Sequence, residues 1–93
     1  MTRVDNAEIR GHLTRLQYHR DQAAAARQRR VKIAPFINME NTNPNALEIA
    51  YRADDQRMIG VIAINDQHVA SITAALSALG FTVDPDREYR RYT

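Results

Sequence analysis

Placed at 100° steps around a helix, residues 6–30 put Ile9, Leu13 and Leu16 on one side, and Arg20, Arg27 and Arg30 continue that side. An ordinary surface helix keeps its apolar stripe toward the core along its whole length. Here the first half is patterned for burial and the second half hands the same side to guanidinium groups. The pattern predicts a helix from Asn6 to about Arg30. Asp5 or Asn6 is placed to cap it, and Glu8 falls in the first turn, where a carboxylate complements the helix dipole. Ala23 to Ala26 combines high helix propensity with little bulk, which suits close helix–helix contact. Run straight, such a helix would be about 37 Å long, whereas a compact domain of this size has a radius of gyration of about 12 Å. It should overhang its domain, pack on a partner or bend near Asp21.

Beyond it the periodicity changes. Val31 to Ile37 brings β-branched residues and Pro35, the signature of an edge strand or extended arm. Asn38 to Asn45, with four asparagines and Pro44, reads as a loop. From Ala46 to Ile64 the expected element is a β-hairpin. Leu47, Ile49 and Tyr51 alternate with Glu48, Ala50 and Arg52, Asp54-Asp55 forms the turn, and Met58 to Ile64 is apolar on both faces like a covered central strand. A second helix is expected over Asn65–Leu79, capped by Asn65 and carrying Val69, Ile72, Leu76 and Leu79 on one side. Gly80 supplies a left-handed stop. Phe81 to Val83 reads as a short final strand, and residues 84–93 as a tail interleaving Tyr89 and Tyr92 with Arg87, Arg90 and Arg91. The expected fold is therefore a single α+β domain over residues 1–93. It has a small, mostly antiparallel sheet, a flexible N-terminus at 1–5 and a flexible tail at 84–93.

Composition sharpens this picture in three ways. Only 23 of the 93 residues are Val, Ile, Leu, Met or Phe, and there is no Trp. A core that small favours association with further copies, most simply as a dimer. The chain has no cysteine, which rules out disulfides, thiolate metal sites and a thiol nucleophile. No secretory signal pattern or run of 18 apolar residues is present, so the expected setting is the cytoplasm, away from membranes. The net charge of +2 hides an asymmetry: residues 1–32 hold eight basic and three acidic groups, and residues 33–93 hold five basic and eight acidic. Such polarity fits a polyanion-binding end or electrostatic self-association.

The candidate site is the basic cluster Arg27, Arg29, Arg30 and Lys32, joined by Arg20. Arginine forks match phosphate and carboxylate oxygens two at a time, and several crowd together here. His19 and the tail residues Tyr89, Arg90, Arg91 and Tyr92 are possible auxiliaries, since tyrosines stack on bases while arginines pair with phosphates. Against this stands the plainer reading of solvated basic residues complementing a helix C-terminus. His12 and His19 lie about 10 Å apart along the helix, too far to share an ion, so no metal and no cofactor are expected. Ser71 and Ser77 lack a nucleophile elbow. Tyr18-His19-Arg20-Asp21 diverges by 100° per residue, so an enzyme would require a site shared between subunits. The first functional reading is a small non-enzymatic binding protein whose arginine helix engages nucleic acid or a phosphorylated nucleotide. The alternative is a protein–protein assembly factor, adaptor or inhibitor, of the phage or plasmid accessory type. It would oligomerise through the long helix and sheet, with its arginines meeting acidic groups.

Overall fold

A computed structural model describes residues 6–90. Two long helices fill most of it: α1 over Ala7–Ile33 and α2 over Ala46–Ala78, joined by a 3-10 turn at Ala34–Phe36 and the asparagine-rich loop. No strand occurs among the described residues. The expected α+β fold is thus replaced by an all-helical hairpin, and each of its strands needs a reason for its absence.

Val31 to Ile33 completes α1, and Pro35 sits at the start of the 3-10 turn, where its missing N–H does no harm. The expected β-hairpin is the first half of α2, and Asp54-Asp55 lies in mid-helix. Six residues of alternation around Leu47–Arg52 are too short to exclude a helix. A run that is apolar all round, such as Met58–Ile64, fits a helix as well as a central strand. Length decides between them. From Ala46 to Ala78 no proline interrupts the chain, and Gly60 is the only glycine, so one 33-residue helix forms where two elements were expected. Asn65 accordingly does not cap; its amide donates to the Val61 carbonyl one turn back (2.8 Å). Phe81–Val83 forms no regular element and pairs with no strand among the described residues.

The ends behave as local chemistry dictates. Asn6 caps α1, its Oδ1 accepting from the Glu8 and Ile9 amides at 2.8 and 3.4 Å. Asp5, the other expected cap, lies outside the described residues, as do the rest of the first five and the last three. Asn45 caps α2 through the Glu48 amide (2.9 Å), and Gly80 takes the left-handed conformation (φ 84°) beyond α2. Arg52 draws the loop onto α2, its Nη2 donating to the Asn38 and Asn41 carbonyls and to Glu48.

The helices run antiparallel: Arg30 meets Asp55, Arg27 meets Asp66, and His19 meets Asn65. The core sits at one end, where Ile9, Leu13 and Leu16 pack with Ile72, Leu76, Phe81 and Tyr89. Toward the loop it thins to Ala23 and Ala26 (2% and 3% exposed), then Ile33 (1%). Ile9, Leu16 and Ala23 are spaced by seven, as are Ala26 and Ile33. Because 3.5 residues per repeat falls short of the 3.6 of a straight helix, the inward side rotates about 20° per heptad. This rotation carries the seam onto the alanines and leaves Arg27 and Arg30 at its margin. α1 is continuous past Asp21. The resulting body measures 58 × 21 × 17 Å with a radius of gyration of 17.7 Å, against about 12 Å for a compact chain of this length.

Candidate functional site

The structure brings the predicted arginines together, and it brings acidic partners with them. Arg29 Nε donates to Asp54 (2.7 Å), which Arg57 also grips from the next turn. Arg30 Nε donates to Asp55 (2.8 Å), and Arg27 Nη2 to Asp66 (2.6 Å). Arg29 and Arg30 stand 100° apart on either side of the alanine seam, so these pairs fasten both of its margins. The aspartates read from sequence as a hairpin turn are thus the counter-ions of the basic cluster. The Asp54 carboxyl is held below the usual range, first by Arg29 and then by Arg57, against some desolvation. The Arg30 guanidinium is correspondingly raised by Asp55. Lys32 is exposed and makes no ion pair among the described residues.

Arg20 does different work. Its Nη1 donates to the Arg87 carbonyl (2.9 Å) and its Nη2 to the Asp84 carbonyl (3.1 Å), fixing the returning C-terminal segment on α1. Tyr89 is that segment's anchor. Its ring is 1% exposed, its hydroxyl accepts from the Asp84 amide (2.9 Å), and its own amide donates to the buried Gln17 Oε1 (2.9 Å). The guanidiniums of Arg20 and Arg87 each lie 5.6 Å from its ring centroid. Arg90 forms a two-pronged pair with Asp21 at 2.6 and 2.7 Å. His19 Nδ1 donates to Asn65 Oδ1 (2.7 Å) and the ring stacks on His68, with ring centroids 4.4 Å apart. Of the remaining expected auxiliaries, Arg91 and Tyr92 lie outside the described residues.

The Arg90 hydrogen bonds are the chief cause holding the Asp21 carboxyl below its usual value, with Gln17 assisting and desolvation opposing. At Glu48, desolvation pushes up, but hydrogen bonds from Arg52 and Asn41 outweigh it. A carboxylate depressed in the folded state stabilises the fold above its unfolded pKa of about 4, and that contribution disappears as pH falls through the lower folded value. Urea unfolding midpoints should therefore be insensitive to these three groups between pH 5 and 8 and decline progressively below pH 4. Asp21→Asn and Asp54→Asn should each flatten that decline.

One surface differs from expectation: the apolar run expected in a sheet lies instead on a helix with an uncovered side. Ile49, Ile59 and Ile64 of α2 are 55%, 39% and 58% exposed, and the middle of the side they share carries only Ala, Gly and Gln, with Arg52 and Arg57 at its margins. At the loop end Phe36 stacks on Tyr51 (5.0 Å), and an open groove of about 500 Å³ runs past Val31, Ala34, Ile37 and Met39. α2 is also long and apolar enough, by length and composition alone, to cross a membrane. The missed signal was available in principle, because one uninterrupted helix would have placed these isoleucines together. No group of three metal-binding side chains occurs among the described residues. No known protein family, curated protein or solved structure matches the chain.

Proposed function

We propose that this chain is a non-enzymatic assembly module, a helical hairpin that oligomerises through the uncovered side of α2. One observation carries the reading: of the 33 residues of α2 only Ile72 and Leu76 are buried, while isoleucines stand exposed on its outer side. The protein exposes 6576 Å², whereas a compact monomer of its mass would expose roughly 5,500 Å². Large apolar side chains left exposed along one helix side are the usual mark of an interaction site.

The arrangement of the arginines supports the same choice. A phosphate arriving at Arg27, Arg29 or Arg30 would have to displace Asp66, Asp54 or Asp55. Each guanidinium already faces a carboxylate, so the cluster presents a polyanion with much less net positive charge than its sequence promised.

Light scattering combined with the 260/280 nm absorbance ratio tests this directly, because with four Tyr and no Trp the protein absorbs only weakly at 280 nm and bound nucleic acid would stand out. The expected result is a mass at least double 10.6 kDa, free of nucleic acid and unchanged between about 50 and 200 mM salt. A monomer would sink the assembly reading. Bound nucleic acid, released steeply over that salt range and lost in Arg27→Ala and Arg30→Ala, would restore the arginine-helix reading in its place.

A further inference from the structure

The outer side of α2 has more order than a generic apolar patch. Ile49, Ala53, Gln56, Gly60, Ala63, Gln67, Ala70 and Ala74 recur at alternating spacings of four and three, the a/d repeat of a helix seam. All eight are exposed. This is a second seam, on the side of α2 away from α1, and Ile59 and Ile64 flank it.

We infer that this seam pairs with the same seam of a second copy, antiparallel, about a two-fold axis passing between Val61 and Ile62, giving a four-helix bundle. The inference rests on the assembly reading and specifies its partner and geometry. In antiparallel pairing each a position faces a d position of the other helix. Centred between Val61 and Ile62, that rule sets Ile49 against Ala74, Ala53 against Ala70, Gln56 against Gln67 and Gly60 against Ala63. Bulk meets a small residue at the ends. The two neutral polar residues face each other, where their amides complement one another as donor and acceptor. The smallest pair sits beside the axis. In the flanks Arg57 comes opposite Ile64 and Asp66 opposite Ile59, so no like charges meet.

Two further observations point to a copy of this chain as the occupant. Gly60 costs a helix up to about 1 kcal/mol relative to alanine, yet a Cβ placed on it meets nothing within 4 Å. The single hairpin therefore has no use for this glycine, whereas a helix crossing close to the axis does. The area is also adequate. The seam from Ile49 to Ala74 runs about 38 Å, and a contact strip about 10 Å wide with its flanking isoleucines amounts to roughly 600 Å² per copy, at the lower bound of stable specific interfaces.

Because the chain has no cysteine, single cysteines report the geometry cleanly. Ala53→Cys mixed with Ala70→Cys should form the disulfide-linked dimer under mild oxidation, and neither variant should do so alone. Gly60→Leu should weaken the dimer at least about tenfold, and Ala63→Arg should leave a monomer. Both should keep full helix content, since both sites face solvent within one hairpin. A parallel pairing would link each single variant to itself, and non-specific association would tighten with Gly60→Leu. Either result on an oligomeric protein overturns the antiparallel seam while leaving the assembly reading intact. A monomer in sizing, or a monomer that floats with phosphatidylcholine vesicles, overturns both.

Discussion

Tyr89→Ala is expected to lower unfolding stability by about 3–5 kcal/mol, the range for removing a large buried aromatic. It is the largest side chain in the core that is essentially inaccessible. It closes the end of the hairpin over Ile9, Leu13 and Leu16 and meets Phe81 edge-on at 6.1 Å. Truncation also leaves Arg20 and Arg87 without the ring face between them and the Asp84 amide without its acceptor. Small domains have only about 5–15 kcal/mol to lose, so urea denaturation followed by circular dichroism should show a large drop in midpoint or a chain already partly unfolded. Tyr89→Phe separates the contributions. It keeps the ring and loses one hydrogen bond, for which about 1 kcal/mol is expected. If Tyr89→Ala unfolds like the wild type, the C-terminal segment is not part of the core.

The second large effect lies at the alanine run. Ala23→Leu and Ala26→Leu should each destabilise by about 1–3 kcal/mol, because both are nearly inaccessible between the helices and added methylenes must force the helices apart. Ala24→Leu and Ala25→Leu, on the exposed side, should change stability by no more than about 0.5 kcal/mol. Thermal melts of the four variants are enough to check this. Equal effects at all four positions would mean that α1 is not seated through Ala23 and Ala26. Forcing the helices apart also loosens the Arg29–Asp54 and Arg30–Asp55 pairs. As partly exposed ion pairs these contribute little individually, so most of the penalty should be steric.

What could be read in the sequence followed from short-range chemistry. The first helix, its Asn6 cap, the close-packing role of the alanines and the Gly80 stop all depend on residues within a turn or two of one another. The β-hairpin failed because alternation at Leu47–Arg52 and two-sided apolarity at Met58–Ile64 are compatible with either secondary structure. Whether the segment is a strand depends on a neighbouring strand that this chain does not supply.

The sequence by itself determined that the first long helix buries Ile9, Leu13 and Leu16 and carries a basic far half, because helical periodicity and charge are local properties. Only the tertiary structure decided what the arginines do. Which carboxylates face Arg27, Arg29 and Arg30 depends on the antiparallel register, set by packing of Leu16 against Leu76 and Tyr89, which lie tens of residues further along the chain. The same register, by choosing which side of α2 meets α1, also chose the seam that it leaves exposed.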